Sequence, residues 1–331
     1  MGSTSVSWEV TSLEVQTTTP SATSDGLYAN GNMQVPVVVV IKTIDPDTNT
    51  SYQLSESDLE TIKLIDYDDP PTELSGSWSY STTENEFDHS LPSSKKALQP
   101  DLSLTDGGSQ KKRYWVTTTK VENKRVAASI KQPNGTVVHT AGDPYDSKAT
   151  LTGTDVVTYK LDDINLRKGD TTSGTGETVA SQKWSSTNYY LTTNKYPLRK
   201  ADVNGDNLRT DQGVENSYLE NAMACFFSAS NEFDIFYYWP MGPEETRRVG
   251  GASGAPIEIT VNEESNALCF THMHLQNYDF GWTFGFLFYY RFIFYDQFGN
   301  PGTFWVGYND SHTTLEILDH KYTADDYGHD A

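Results

Sequence analysis

Two histidines, His272 and His274, are separated by one residue within the segment 271–275. Side chains alternate between the two faces of a β-strand, so a strand here would place both imidazoles on one face. Such a pair can bind a metal when a third histidine or a carboxylate completes the set. By residue type, His312 and His320 are candidates for the third ligand. A solvent-facing pair of histidines without a metal is the alternative.

Oxygen-bearing side chains are concentrated in the segment 202–207, where Asp202, Asn204 and Asp206 occupy alternate positions. The segment resembles the start of an EF-hand or dockerin calcium loop, which has oxygen ligands at its first, third and fifth positions. The resemblance implies a Ca²⁺ ion bound by these three residues. Because the twelfth position is Gly213 instead of a bidentate carboxylate, the alternative is a structural turn that requires no cofactor.

Aromatic residues in the C-terminal half form a candidate carbohydrate surface, since exposed Trp and Tyr rings can stack on sugar rings. The predicted ligand-binding residues are Trp282, Trp305 and Tyr308. Packing of these rings in the core is the alternative, because aromatic side chains dominate core energetics. A third interpretation is a membrane-engaging hairpin, for which the runs 125–131 and 136–140 are the candidate insertion segment.

Sequence motifs for catalysis are weak. The segment Gly251–Ala255 departs from the G-x-S-x-G nucleophile motif at its last residue, and the chain contains no phosphate-binding loop consensus. The protein is therefore expected not to be an enzyme. A carboxylate pair suited to glycoside hydrolysis, drawn from its 45 Asp and Glu residues, is the alternative.

The charge of the chain argues against two classes of partner, nucleic acids and anionic membrane surfaces. With 24 Lys and Arg against 45 Asp and Glu, its formal net charge is −21. Nucleic-acid binding needs a basic face that displaces counterions from phosphates, and anionic membranes attract polybasic segments. No apolar stretch is long enough for a transmembrane helix, and the first ten residues lack the segments of a secretory signal. We expect a soluble protein without a classical secretory leader. The sequence leaves its cellular compartment undetermined.

Strand and turn patterns dominate the N-terminal half. The β-branched run Val37–Ile44 is followed by turn residues at 45–49, and Pro133-Asn-Gly135 predicts a hairpin turn between two strands. Ser55 and Asp58 have the spacing of a capping box, which predicts a helix of one or two turns.

The run from Tyr278 to Phe294 has an aromatic residue at every even position. Alternation of this kind predicts strands with one face against the core, with a bend at Gly281 or Gly285 because glycine in a strand often marks a corner. A turn over 296–302 and an antiparallel return strand over 303–306 should follow.

Pattern and composition predict the structure of two further segments. Apolar spacing over 214–227 predicts one amphipathic helix, and the Gly/Ser/Thr-rich segment 167–183 predicts an interdomain linker or a long exposed loop. The two cysteines, Cys225 and Cys269, are either buried free thiols or one disulfide.

A shared form links the segments 37–47 and 292–302: each is an apolar strand followed by Asp and a Gly, Asn or Pro turn. This form resembles the hairpin of bacterial immunoglobulin-like modules of the invasin and intimin type. The segment Leu27–Gly31 is similar to the lead-in of those modules. The resemblance implies a β-sandwich fold and an interaction role.

The predicted fold is all-β, with two antiparallel β-sandwich domains. Residues 1–166 form an immunoglobulin-like region, 167–183 the linker or loop, and 184–331 an aromatic-rich sandwich with one helix. The predicted function is a non-enzymatic, lectin-like binding protein that contacts a carbohydrate or a cell-surface partner through the C-terminal domain. A pore-forming or insecticidal toxin and a glycan-acting hydrolase are the alternatives, and the oligomeric state is open.

Overall fold

Short β-branched and aromatic segments separated by turn residues form nearly all of the regular structure. The computed structural model describes residues 7–94, 108–176, 179, 181–203, 219–229, 231–249, 257–278, 286–287 and 290–321. The chain divides into two units, one of Met1–Val157 with Phe298–Asn300 and one of Thr158–Gln297 with Pro301–Ala331. The predicted all-β class is confirmed, with antiparallel sheets that pack as sandwiches.

The first unit has ten strands and one short helix among its described residues. They are β1 (Glu9–Thr17), β2 (Ser24–Tyr28), β3 (Val35–Asp45), β4 (Thr50–Tyr52), α1 (Glu56–Leu59), β5 (Lys63–Asp66), β6 (Trp78–Ser81), β7 (Gln110–Thr118), β8 (Asn123–Lys131), β9 (Val137–His139) and β10 (Ala149–Thr154).

Two sheets build this unit. One has the order β1-β3-β7-β6 with β4 paired to β3, and the other has the order β2-β10-β8-β5 with β9 paired to β8. Every pair is antiparallel except β2 with β10, which run parallel. Apolar side chains from both sheets, including Val37, Val39, Leu64 and Val126, are fully buried at 0% exposure. Burial of this apolar surface is the main stabilising contribution to the unit.

Local signals in the first unit are confirmed. Ser55 caps α1: its hydroxyl accepts from the Asp58 amide at 3.2 Å, and the Asp58 carboxylate accepts from the Ser55 amide at 3.1 Å. The 45–49 segment turns between β3 and β4, with Asn49 in the left-handed region at φ 57°. Gly135 takes φ 90° in the turn between β8 and β9, a conformation that glycine adopts without steric cost.

The second unit contains twelve strands and a short 3-10 helix among its described residues. They are the 3-10 helix Leu161–Asp163, β11 (Ile164–Thr175), β12 (Lys183–Thr193), β13 (Leu198–Val203), β14 (Ala222–Ala229), β15 (Glu232–Trp239), β16 (Glu245–Val249), β17 (Ile257–Val261), β18 (Leu268–Gln276), β19 (Phe286–Leu287), β20 (Arg291–Asp296), β21 (Pro301–Tyr308) and β22 (Leu315–Leu318).

A six-stranded sheet forms the centre of the second unit, in the order β11-β12-β18-β15-β14-β19. Its strand β15 is buried from Phe233 to Trp239, so both faces of the sheet are covered there. Ile235 and Tyr237 cluster with Ile257 of the two-stranded sheet β16-β17. On the other face, rings contact the four-stranded sheet β13-β20-β21-β22, as in the pair Phe270–Phe292 at 5.8 Å.

The described part of the aromatic run confirms the predicted alternation. Tyr290, Phe292 and Phe294 are at most 2% exposed, whereas Arg291 and Ile293 between them are half-buried. The predicted turn and return strand are present, because β20 and β21 pair antiparallel. Residues 279–285 and 288–289, which include both glycines of the predicted bend, lie outside the described residues.

The predicted helix over 214–227 is wrong for its described part, because residues 222–227 belong to β14. This strand pairs with β15 on one side and β19 on the other, and Ala222, Met223, Ala224 and Cys225 are all 0% exposed. A short continuous apolar run suits a strand buried on both faces as well as it suits a helix, so periodicity could not separate the two. Residues 214–218 lie outside the described residues.

The predicted linker 167–183 also differs from the structure. Residues 167–175 belong to β11, which pairs antiparallel with β12, and the division between the two units falls after Val157. None of the twelve residues of β11 is buried. An unburied strand shows no hydrophobic period, so its Ser, Thr and Gly content alone predicted a loop.

Candidate functional site

Of the three predicted calcium ligands, the structure describes Asp202, near the end of β13. Asp202 is on that strand, opposite Ile293 of β20, with its carboxylate 3.4 Å from the Lys200 amine. Asn204 and Asp206 lie outside the described residues. Calcium binding by this segment therefore stays a prediction.

The three predicted sugar-stacking residues differ in where the structure places them and in how exposed they are. Trp282 lies outside the described residues, and Trp305 is half-buried on β21 opposite Arg291. Tyr308 is only 3% exposed, and its ring contacts Phe226 at 5.2 Å and Phe236 at 4.6 Å between centroids. Tyr308 is thus a core residue here, since the packing of sheet against sheet covers the ring that a sugar would need.

The two histidines share one face of β18, as their spacing predicts, and both contact a carboxylate from β15. Asp234 is opposite His274 in the strand register. Its Oδ1 atom lies 2.7 Å from His272 Nε2 and 2.9 Å from His274 Nδ1. The third residue of the cluster is therefore Asp234, which sequence reasoning did not select.

Asp234 is 1% exposed, and burial alone would raise its pKa. The hydrogen bonds and charges of His272 and His274 outweigh burial and hold the pKa below its usual range. An ionised carboxylate can only accept hydrogen bonds, so each imidazole carries a proton on the nitrogen that faces Oδ1. The other oxygen, Oδ2, is buried and receives no hydrogen bond within the described part of the chain.

Aromatic rings surround this cluster. Phe236 stacks on His272 at 4.6 Å, and Phe226 stacks on His312 at 3.9 Å. Burial lowers the pKa of His312, against the opposing effect of the Asp234 charge. The cluster thus places ionisable groups in an aromatic layer, where an unpaired charge would be costly.

The predicted metal site finds no support among the described residues, where no group of three or more His, Cys, Asp or Glu side chains is arranged to hold a metal ion. Both imidazoles direct a nitrogen at the same carboxylate oxygen, so they are satisfied by hydrogen bonds instead. One signal could have identified Asp234: it is the single charged residue in the apolar run 233–239.

The two cysteines are buried free thiols. Cys225 is on β14 and Cys269 on β18, and β15 lies between these strands. Burial raises the pKa of Cys269 to about 12. A thiol with this pKa is almost entirely protonated at neutral pH and is a poor nucleophile.

A cleft of about 280 Å³ in the first unit lies where β5 and β6, the edge strands of the two sheets, approach one end of β7. Two tyrosine rings and several polar side chains line it. The lining residues are Glu60, Ile62, Lys63, Glu73, Tyr80, Ser81, Thr82, Lys112 and Tyr114.

A fixed network orients the polar groups of this cleft. The Tyr80 hydroxyl donates to Glu73 Oε1 and the Lys63 amine donates to Glu73 Oε2, both at 2.6 Å. These hydrogen bonds, that of Lys63 first, lower the pKa of Glu73. The Tyr114 ring meets Tyr80 edge to face at 5.3 Å, and its hydroxyl donates to the Ile62 carbonyl at 2.6 Å. Burial, followed by the Glu73 charge, raises the pKa of Tyr114 to about 12.

Two other clefts of the first unit lie along β1, with volumes of about 380 Å³ and 530 Å³. The smaller one is lined by apolar and polar side chains with Tyr145 as its tyrosine, and the larger one has polar and small apolar side chains without an aromatic ring. In the cleft at β5 and β6, the hydroxyl of the half-exposed Tyr80 donates to a carboxylate that Lys63 also holds, whereas the Tyr145 hydroxyl donates to the Val10 carbonyl.

Comparisons with known proteins give no family. No protein-family model matches the sequence, and no curated protein matches it. Among solved structures, the C-terminal domain of the Streptococcus pyogenes antigen I/II-family protein AspA is similar at 7% identity and a TM-score of 0.20, over 88% of this chain and 97% of that chain. A similarity at this level carries no information about function. No helix within the described ranges is long and apolar enough to cross a membrane.

Proposed function

We propose that this protein is a non-enzymatic binding protein that recognises a carbohydrate or a carbohydrate-bearing cell-surface partner. The observation that carries the proposal is the cleft at β5 and β6. Binding sites for small polar ligands combine an apolar or aromatic surface with a few oriented polar groups. The half-exposed ring of Tyr80 is the aromatic surface of the cleft, and Glu73, Lys63 and Lys112 are its polar groups.

The orientation of these groups supports recognition of hydroxyl-rich ligands. Glu73 is held from two sides, by Lys63 and by the Tyr80 hydroxyl. A carboxylate held in this way accepts hydrogen bonds from a ligand without first losing side-chain freedom, which reduces the entropic cost of binding. Ser81 and Thr82 add hydroxyl groups at the rim of the cleft.

The predicted C-terminal contact surface rests on one described residue. Trp305 is half-buried, so part of the residue is accessible to solvent. Trp305 is therefore a second target of the binding experiment, and Tyr308 is not, because it is buried.

A toxin mechanism that inserts the 125–140 hairpin has less support. Its first strand, β8, pairs with β10 on one edge and with β5 on the other. Residues 126–130 of that strand are all buried. Release of this hairpin would break two ladders and the core of the unit, at a cost comparable to unfolding it.

A hydrolase mechanism at the cleft also has less support. A glycosidase needs one carboxyl group with a raised pKa that acts as general acid. The pKa of Glu73 is lowered instead, so Glu73 is ionised at neutral pH and cannot donate a proton.

The test is a glycan array probed with the wild-type protein and with Tyr80→Ala, Trp305→Ala and Tyr52→Ala. Tyr52 is a half-buried tyrosine outside the cleft lining and serves as the matched control. We expect Tyr80→Ala to weaken binding by about tenfold or more, as for truncation of an aromatic anchor, and Tyr52→Ala to have no effect. No glycan bound by the wild type, together with leakage of lipid vesicles, would replace this proposal with the toxin function.

A further inference from the structure

Strand β11 forms one edge of the six-stranded sheet, is twelve residues long and has no buried residue. It pairs with β12 along one side over ten residue pairs. The ring of Trp184 packs over Gly174, because a Cβ atom at that position would meet the ring at 2.7 Å. The end of β11 is therefore held against β12 by Trp184, a partly buried residue that itself packs against the core of the second unit.

The outer side of this strand carries unpaired main-chain groups at identifiable residues. The Gly176 amide donates to the Gln182 carbonyl at 2.9 Å, so position 176 faces β12. Main-chain groups alternate in direction along an antiparallel strand, so Thr171, Ser173 and Thr175 direct theirs away from β12. Within the described part of the chain, no hydrogen bond reaches the outer main-chain groups of these three residues.

In the edge strand β1 of the first unit, side chains form hydrogen bonds with the outer main-chain groups. Its outer amide at Val10 donates to the Gln132 side chain at 2.8 Å, and the Val10 carbonyl accepts from the Tyr145 hydroxyl at 2.8 Å. The Val15 amide donates to the Ser147 hydroxyl at 2.9 Å. Natural proteins protect edges in such ways because an open edge accepts another strand. β1 is protected by side chains, and residues 171–175 of β11 are not.

We propose that β11 pairs with β11 of a second copy of this chain, antiparallel and centred on Ser173. A two-fold axis at Ser173 places Thr171 opposite Thr175 of the other copy, and Thr172 opposite Gly174. The outward groups of Ser173 then meet the same groups of the other copy, as an isologous contact requires. The two six-stranded sheets become one continuous sheet.

The composition of the edge favours this occupant. Residues 171–175 contain only Thr, Ser and Gly, so no like charges face each other in the pairing. Cross-strand Thr–Thr pairs stabilise antiparallel sheets, and the segment has neither the lysine nor the proline that blocks edge pairing. Repulsion between two chains of net charge −21 opposes association, and salt screens it.

The first test is sedimentation equilibrium of the whole chain over a concentration series at low and high salt. We expect a dimer that forms with concentration and strengthens with salt. Ser173→Pro removes an outward amide and no bond of the β11–β12 ladder, so it should weaken dimerisation by about tenfold or more with unchanged near-ultraviolet circular dichroism. Ser173→Ala keeps the amide and should dimerise as the wild type does. A monomer under every condition would overturn the proposal.

A charge pair tests the register and does not depend on proline. The variant Thr171→Lys with Thr175→Lys places lysine opposite lysine in the proposed pairing, whereas Thr171→Glu with Thr175→Lys places opposite charges together. We expect the second variant to dimerise several-fold more strongly than the first. Equal association of the two variants, measured at equal ionic strength, would show that this register is wrong.

Discussion

Replacement of Asp234 by alanine tests whether the buried carboxylate and its two imidazoles stabilise the second unit. The carboxylate is 1% exposed and accepts from His272 at 2.7 Å and from His274 at 2.9 Å. A hydrogen bond to a charged group contributes about 1.5–3 kcal/mol. The His272 side chain is 12% exposed and cannot recover its bond from water, whereas that of His274 is 28% exposed and partly can. We therefore expect Asp234→Ala to lower the free energy of unfolding by about 2–4 kcal/mol.

The assay is urea denaturation at neutral pH, followed by near-ultraviolet circular dichroism. Two units are expected to unfold in two transitions, and Asp234→Ala should shift that of the second unit. Asp234→Asn keeps an oxygen acceptor without the charge and should cost less, about 1–2 kcal/mol. Glu316→Ala, an exposed carboxylate on β22, is the matched control.

The direction of the Asp234 pKa shift determines how the stabilisation by this carboxylate changes with pH. The pKa of Asp234 is lowered in the folded state from its ordinary value of 3.8, so the stabilisation is complete above that value. It is lost as the pH falls through the lower folded pKa. The difference between wild type and Asp234→Asn should therefore shrink as the pH falls below about 4. A free energy of unfolding for Asp234→Ala within about 0.5 kcal/mol of the wild type would refute this reasoning.

Four further outcomes follow from packing, capping, burial and metal binding. Phe292→Ala should destabilise the second unit by about 3–5 kcal/mol, measured by urea denaturation, because its fully buried ring contacts Phe270 and Phe304. Ser55→Ala should cost about 1 kcal/mol in the first unit, as loss of an N-cap does, with Ser55→Thr as the control. Cys269 should not react with a thiol reagent at pH 8 until the protein is unfolded; rapid reaction of the native protein would contradict its burial and its pKa of about 12. Calcium should raise the melting temperature relative to chelator if Asp202 and its neighbours bind it, and equal temperatures would end that prediction.

Features fixed by neighbouring residues could be predicted. The Ser55 cap, the turn over 45–49 and the hairpin at Gly135 each depend on a few consecutive residues, and the structure has all three. The alternation that ends in β20 could also be predicted, because a strand with one buried face repeats every second residue.

Features that depend on which neighbours surround a strand could not be predicted. The sequence of β14 has the pattern of a helix because the strand is buried on both faces. The sequence of β11 has the pattern of a linker because the strand is buried on neither face. Both wrong predictions have the same cause. An alternation of apolar and polar residues exists only when one face of a strand contacts the core and the other contacts water.

The candidate sites also combine features that could be predicted from the sequence with features that could not. The spacing of His272 and His274 placed them on one face of a strand, because side-chain direction is a local property of the backbone. Their partner Asp234 is 38 residues from His272 in sequence, and the cleft at β5 and β6 joins Glu73, Tyr80 and Lys112 from three separate segments. The sequence alone determined the all-β class and the turns. Only the tertiary structure decided which polar groups meet and which rings are buried, because those contacts depend on how strands order themselves within the sheets.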